Sequence, residues 1–542
     1  QLQAVNGTFA TTATPAELKL PLKDEQVARL KHRYRYVVGD DFDPRLLSVR
    51  LVDSARLAPP GTALSKIGDW LGVPKIKLPP GFRKSEIDRL QRERPELFRA
   101  YGLRDAEIAV LFVLWVFWFC DRYLGIKGLS ATASALSVRL VQMCMRRDGV
   151  HPDVALNFEK VRRWRWNETT GRPVSKTQRM PTRVRRWFEA FFADVYMGGR
   201  NECYWFGPTP MLQPSHRLFD HDLAACYVVS LAGIMCLDYD RIEITRDVAR
   251  FIGHAAGYAE VEFRFPEGTR FPCLAVMMEK YGLWYPLSGV ALATAPEIEL
   301  AVNMGAQIKI RFGIVIPWKD RAAVFAASAP RLRQSETRTK GDDAPWLEPE
   351  GEVFVPTPGM RFPPESHGDV GYRPFESGAI YTRAMRLKFD KKSLPHQFMK
   401  LVGNGVYGKT GQGFKGKRSL DMEDLRYEAI SPSGISEPAV AALVSGFARA
   451  VLGEILWKLP PEALVVSATT DGVLVSAERL DLSGVMCQRF QALVDRIAPG
   501  TGMTELKHVI GQAVAGKTRL QLTGLAIEGQ KPVVAKGGIK VP

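Results

Sequence analysis

The chain has 542 residues, of which 46% are apolar, and its 74 Lys and Arg outnumber 58 Asp and Glu to give a formal charge of +16. That length exceeds one ordinary core, so roughly two to four domains or subdomains are expected, and the charge points to a polyanion partner such as nucleic acid. Seven scattered cysteines without CxxC spacing argue against a zinc site and a disulfide framework, which suggests a reducing compartment; no secretory signal is visible, and a start on Gln1 suggests a fragment.

In chain order, a small-residue tail precedes a charged helix expected over Pro15 to His32. Strand-like YRYVV (34–38) and LLSVRLV (46–52) follow, separated by the turn-rich GDDFDPR. PELFRAYGLRDAEIAV reads as a helix with Tyr101 and Asp105 four apart on one face. Such a pair suits a carboxylate holding a metal with a tyrosine beside it. The thirteen-residue apolar run Ile108 to Cys120 is too short to span a bilayer and reads as a buried helix. KVRRWRWNETTGRPVSKTQRMPTRVRRWFEAF is strongly basic with interleaved tryptophans. Either it tracks a phosphate backbone and offers stacking faces, or it is a solvated basic helix and loop anchored to the core by its Trp residues.

ADVYMGGRNECYWFG suggests a strand interrupted by Gly198-Gly199, a pair that marks a bulge or a close backbone approach. Alternation from Leu218 to Asp222 predicts a strand with Asp222 at its end, and LAACYVVSLAGI predicts a helix packed against it. His216 and His221 flank this stretch and suit surface or supporting roles better than metal ligation. RFPCLAVMMEKYGLWYPLSGVALATAPEIELAVNMGAQIKIRFG alternates strand-like and helix-like pieces, and 328–376 is rich enough in Pro, Gly and charge to suggest a long loop or insertion.

On a helix, LPHQFMKLVGNGVYGKTGQG places Lys400, Asn404 and Tyr407 on one face, a cation, an amide and a ring suited to an incoming nucleotide. Glycines at 403, 405 and 408 would each cost that helix about 1 kcal/mol, so either something approaches the backbone closely or the helix ends at Gly403. Residues 411–438 read as a loop. Pro438 to Leu459 reads as a long apolar helix, leading into ALVVSATTDGVLVSA, a hairpin with Asp471 near its tip. Two carboxylates on rigid strands, Asp222 and Asp471, are what an Mg²⁺ pair needs to align a phosphoryl displacement. Lys507, Lys517 and Arg519 are expected to project from strands, either as functional cations or as surface charges on a β-edge.

These stretches, in this order, resemble the family B DNA polymerases of the organellar, viral and mobile-element branch, in its protein-primed or primer-independent type. Asp222 and Tyr227 match motif A, Lys400, Asn404, Tyr407 and Gly408 match motif B, and Thr469-Thr470-Asp471-Gly472 matches motif C. Tyr196-Met197-Gly198-Gly199 followed by Arg200 resembles the family's YxGG motif, which contacts the template strand. The resemblance implies an α+β, right-hand architecture of palm sheet and helical fingers with a partial RNase H-like exonuclease domain at the N-terminus. The expected segments are an exonuclease-like domain (1–125), a basic linker (126–190), the first part of the palm (191–320), an insertion with fingers (321–410), and the second part of the palm with little or no thumb (411–542).

The resemblance further implies catalysis by Asp222 and Asp471, with Leu223 as an additional ligand to two Mg²⁺ ions for which Mn²⁺ can substitute. Tyr227, Arg386, Lys388, Lys400, Asn404 and Tyr407 would bind nucleotide. Tyr196, Gly198, Gly199, Arg200, Gly408, Lys507, Lys517 and Arg519 would bind DNA. Tyr101 and Asp105 match the third exonuclease motif, but no upstream D-x-E motif is found, so either its ligands lie before Gln1 or the domain is a structural remnant. Thr469 stands where motif C usually has a first Asp, and Gly405 where motif B has Ser. The implied partners are template, primer strand and deoxynucleoside triphosphates, with or without a terminal protein, for a monomer without a membrane. Its place is the cytoplasm if bacterial, phage or mobile-element encoded, or an organelle as the alternative. A catalytically impaired, polymerase-like binding module is the reading from another class.

Overall fold

The computed structural model describes residues 23–29, 53–168, 171–210, 217–279, 282–336, 371–414, 416, 427–517 and 520–529, together with short strands within 4–21, 46–51, 418–420 and 534–536. The chain divides into two units. One comprises Gln1–Arg139, Arg386–Val402 and Lys415–Ser431, and the other Leu140–Met385, Gly403–Phe414 and Pro432–Pro542. Their limits cut across the five segments expected from the sequence.

In the first unit, β1 (Ala16–Pro21) pairs antiparallel with β2 (Leu46–Leu51), Ala16 opposite Leu51. This strand occupies the first part of the expected helix over Pro15 to His32, because pairing with a distant partner overrides a local helical preference, while residues 24–29 are helical as expected. YRYVV lies outside the described residues. Helix α1 (Pro95–Phe119), opened by a proline at its first turn, runs unbroken through both the Tyr101–Asp105 segment and the apolar run. That run is not buried all round. Ile108, Phe112, Val116 and Phe119 form a covered stripe at helical spacing, whereas Val110, Leu114 and Trp118 are more than half exposed. Phe119 and Trp115 meet Phe398 edge-on.

In the second unit, after the helical segments Ala133–Arg147 and Pro152–Ala155, comes a two-stranded ribbon, β3 (Phe158–Asn167) and β4 (Arg172–Pro181), where a basic helix and loop was one expectation. Helix α2 (Arg183–Val195) comes next, and β5 (Arg200–Cys203) begins only after the loop 196–199. The expected strand before Gly198 is therefore helix, since Phe192 and Val195 fall on a buried helical face. The predicted strand β6 (Leu218–Leu223) and helix α3 (Cys226–Ala232) both form.

A second sheet, built on β7 (Ala256–Arg264), β8 (Ser288–Thr294) and, after helix α4 (Ala295–Asn303), β9 (Gln307–Ile316), is antiparallel with β7 between β8 and β9. Helix α5 (Glu376–Leu387) precedes α6 (Leu394–Thr410), which passes from one unit to the other at Val402–Gly403. Helix α7 (Pro438–Trp457) is long and apolar enough to cross a membrane, yet 94% of its apolar window is buried inside the protein. It is a core helix, packed on α2, α3, α4 and α8 (Val485–Ile497).

Between α7 and α8 lies the predicted hairpin, β10 (Val465–Thr470) and β11 (Gly472–Val475). With β12 (Thr504–Ile510) it completes a five-stranded antiparallel sheet in the order β12–β6–β11–β10–β5. β13 (Gln512–Lys517) and β14 (Leu520–Leu525) extend a separate four-stranded sheet. The five-stranded sheet covers a core that includes Leu223, Cys226, Ala468, Val473, Val451 and Phe490. That core fixes the strand ends on which the acidic residues sit.

Candidate active site

Strand β6 has the burial of a half-covered strand: His221 and Leu223 are buried, while Asp220 and Asp222 project to the opposite face only partly covered. His221 bonds the Ala477 carbonyl through Nε2 at 3.0 Å and is a satisfied core histidine. Just past Asp222 the backbone reverses, with Ala225 left-handed at φ 49° and α3 starting at Cys226. Asp222 thus sits at a rigid strand end. Burial pushes its neighbour Asp220 up to about 6, the His508 charge opposing and the Asp222 charge adding.

Asp471 alone joins β10 to β11. Before it, Thr470 takes φ 63°, a left-handed conformation that a β-branched residue adopts only under constraint, at roughly 1–3 kcal/mol. The constraint is visible: Thr470 Oγ1 bonds Asn201 Oδ1 at 3.1 Å while Thr470 pairs with Arg200 across the sheet. The register then brings the acids together. Gly472 lies opposite Asp222, and the Leu223 amide donates to the Asp471 carbonyl at 2.7 Å. A Cβ on Gly472 would stand 2.9 Å from Asp222 Oδ1, so the carboxylate leans over the hairpin tip. Burial pushes the Cys226 thiol well up, and the charges of Asp471 and Asp222 both push it further. One buried sulfur feels both acids.

Lys507 on β12 reaches Asp222 Oδ2 at 3.7 Å and also bonds Glu505. Burial works against its charge, but the carboxylates of Glu505 and Asp222 outweigh burial and leave its pKa above the ordinary lysine value. The site is therefore one of two carboxylates backed by one cation. Among the described residues no group of three or more His, Cys, Asp or Glu side chains is arranged to hold a metal ion. An all-oxygen pair at a strand end suits Mg²⁺, which is typically held by one or two carboxylates and completed by water and substrate phosphates rather than by a protein cage. The residues present fit that ion.

Beside the acids, three tyrosines from separate motifs meet. Tyr227 stacks on Tyr407 with ring centroids 4.4 Å apart and planes 18° apart, and Tyr196 meets Tyr407 edge-on at 6.5 Å. Burial pushes the Tyr407 and Tyr227 hydroxyls well up, so both rings remain neutral. The loop 196–199 is seated by a group that nothing in its own sequence announces. Arg449, fully buried on α7, donates to the carbonyls of Met197 at 3.1 Å and Gly198 at 2.7 Å, and its other nitrogens grip Glu297 at 2.8 and 2.9 Å. Glu297 is in turn fixed by the capping box of α4, accepting from the amide and hydroxyl of Thr294. The sequence signal is a cation in the middle of a helix whose only other charged residue is Glu454, where a buried ion must find a partner.

Gly199 sits where loop, tyrosine and hairpin touch. A Cβ there would stand 2.7 Å from Tyr227 Oη and 2.8 Å from Thr470 Cγ2, whereas one on Gly198 would meet nothing within 4 Å. Gly199→Ala is expected to lose about 1–3 kcal/mol by overpacking and Gly198→Ala much less, as read by denaturant unfolding.

The remaining sequence-predicted residues fall in several places. Arg200 is a correction: it is fully buried, paired with Glu202 and stacked 4.0 Å from the Tyr285 ring centroid, so it supports the sheet and presents no donor to DNA. Its strand partner Thr470 draws it under the hairpin. Helix α6 continues past Gly403 to Thr410, and Lys400, Asn404 and Gly408 lie along its exposed side. Close approach explains Gly403, whose Cβ would be 3.3 Å from Thr382 Oγ1, but not Gly408, which faces open space. Arg386 accepts a bond from His396 through its carbonyl, and Lys388 is exposed. Lys517 ends β13 and is exposed, while Arg519 and His216 lie outside the described residues. Tyr101 and Asp105 share one face of α1, but Lys75 occupies it, with Nζ 2.7 Å from Asp105 Oδ2 and 4.7 Å from the Tyr101 ring centroid. Among the described residues no further carboxylate joins them to make a metal cluster.

No protein-family model matches the chain. Along its full length it is 35% identical to the primer-independent DNA polymerase PolB of Escherichia coli, and it spans 57% of that protein. Its fold is similar to that of phi29 DNA polymerase. The match to the complex with primer-template DNA and incoming nucleotides has a TM-score of 0.56, and that to the post-translocation complex with primer-template DNA has 0.54. Each covers 97% of this chain and 76% of the other at 12% identity, a likeness of fold.

Proposed function

We propose that this chain is a family B DNA polymerase, a template-directed enzyme that adds deoxynucleotides to a 3′-hydroxyl; its likeness to PolB along its full length and its phi29-like fold support that reading. The observation that carries the proposal is the register of β6 against the hairpin, with Gly472 opposite Asp222 and the Leu223 amide on the Asp471 carbonyl, which brings the backbones of two acidic residues from remote parts of the chain together. Asp222 and Asp471, with Leu223, would hold two Mg²⁺ ions, which when bound supply a lowered pKa at the attacking hydroxyl and charge stabilisation at the leaving pyrophosphate.

The chain's own groups have complementary tasks. Lys400 and the basic pair Arg386 and Lys388 would neutralise the triphosphate, Asn404 would complete that face, and Gly198 and Gly199 would let the template backbone approach. Lys507 already balances Asp222, and together with Lys517 it would meet the primer strand. The cysteines among the described residues are free thiols, which suits a reducing cytoplasm.

Tyr227 is held flat against Tyr407, so its ring would form a fixed floor under the sugar and exclude a 2′-hydroxyl. Tyr227→Val is expected to raise ribonucleotide incorporation on the order of tenfold, corresponding to about 1.4 kcal/mol of lost discrimination, in competition assays of ribo- against deoxynucleotides. Unchanged discrimination would remove Tyr227 from the sugar site.

The test of the function is extension of a labelled primer on a defined template with Mg²⁺ or Mn²⁺. Template-dictated incorporation supports the proposal, and DNA binding without incorporation supports the impaired module, a reading favoured by Thr469 in place of an acid. The E. coli relative is described as primer-independent. The same assay on single-stranded circles with and without primer tells whether this chain shares that capacity.

A further inference from the structure

The β3–β4 ribbon is absorbed by none of the chemistry above. Its ten cross-strand pairs run from Phe158 opposite Pro181 to Asn167 opposite Arg172, and the two strands form a sheet of their own with no third strand among the described residues. Only the base is anchored. Phe158 is buried, with the guanidiniums of Arg179 and Arg185 over its ring, and Arg179 pairs with Asp153. Outward from there the side chains are largely exposed.

Residues 158–181 carry seven Lys and Arg against Glu159 and Glu168. Strand alternation sorts them by face. Arg162, Trp164 and Trp166 share one face, and Arg163 and Arg165 share the other, with Lys176 directly across from Arg163. Trp164 and Trp166 are 61% and 64% exposed, so they do not anchor the ribbon to a core. The Arg162 guanidinium lies 4.7 Å from the Trp164 ring centroid, presenting cation and ring together. Large exposed rings on a thin, doubly basic ribbon are unfavourable in water and call for a partner.

We propose that the β3–β4 ribbon is a binding arm for single-stranded DNA, in which Trp164 and Trp166 stack on bases while Arg162, Arg163, Arg165 and Lys176 hold the phosphates. Two residues along a strand are about 6.7 Å apart, which offers two separate stacking faces to an extended strand. Any base can stack on them, so the contact is sequence-tolerant. A duplex hides the flat faces of its bases and meets only the cations. The arm is a contact additional to the acidic site, and its binding does not depend on that site's chemistry.

The test uses the full chain and measures fluorescence anisotropy of labelled oligo(dT) and of a duplex of equal length across a salt series. Trp164→Ala/Trp166→Ala is expected to weaken oligo(dT) binding at least about tenfold, with duplex binding changed less than about twofold. Arg163→Ala/Arg165→Ala/Lys176→Ala is expected to reduce the slope of log affinity against log salt by about 2. All these side chains are exposed, and a melting curve matching wild type keeps the variants interpretable. Unchanged oligo(dT) affinity in the tryptophan variant, or equal losses on single strand and duplex, would overturn the proposal. Failure of the wild type to extend primers would count against the polymerase reading and leave this binding result standing.

Discussion

Replacing Asp222 or Asp471 with Asn is expected to lower primer extension by at least about a hundredfold, the loss that even an outer partner of a metal ligand can cause, while DNA affinity persists. Asn keeps the size and most of the hydrogen bonding of Asp, so the change removes charge rather than structure. Asp222 faces Gly472 across a central strand pair, and the Leu223 amide is already used by the Asp471 carbonyl, so the backbone of both positions is held independently of the side chains. The measurements are gel-resolved extension with Mg²⁺ and Mn²⁺, and anisotropy on the same primer-template. Extension at the wild-type rate in either variant would move the chemistry elsewhere.

The second large effect is on stability. Arg449→Leu is expected to destabilise the protein by about 3–5 kcal/mol, because it strands a carboxylate that is 1% exposed. Adding Glu297→Gln should recover much of that loss, since the amide oxygen still accepts from Thr294 and no lone charge is left. Function should not recover with it. The carbonyls of Met197 and Gly198 lose their donor in the double variant, and the loop carrying Tyr196 loses its seat. Urea unfolding should therefore show rescue, while extension stays impaired. A single variant that lost less than about 1 kcal/mol would show that the buried pair had been offset by relaxation.

Much of the fold was legible because it is written in local periodicity. The alternation of LFDHDL, the apolar length of 438–457 and the turn at Asp471-Gly472 each encode one geometry that neighbouring residues impose on one another, and each formed as expected. Local reading failed where a distant partner intervened. Ala16–Pro21 became a strand by pairing with Leu46–Leu51, and the glycine pair at 198–199 marked a loop after a helix instead of a broken strand. Arg200 reads as a DNA-facing cation from its motif, but Glu202 and Tyr285 close around it.

By itself the sequence determined which residues have the chemistry for the site: two acids on strand ends, a helix with one polar face, a basic arm with tryptophans. Tertiary structure alone decided that Asp222 faces Gly472, that Arg449 reaches Glu297 and the loop 196–199, that Lys507 rests on Asp222, and that Trp164 and Trp166 stay in solvent. Periodicity specifies the direction of a side chain relative to its own element. Register and partner are set by how elements far apart in the chain bury their apolar faces together, and no local pattern carries that information.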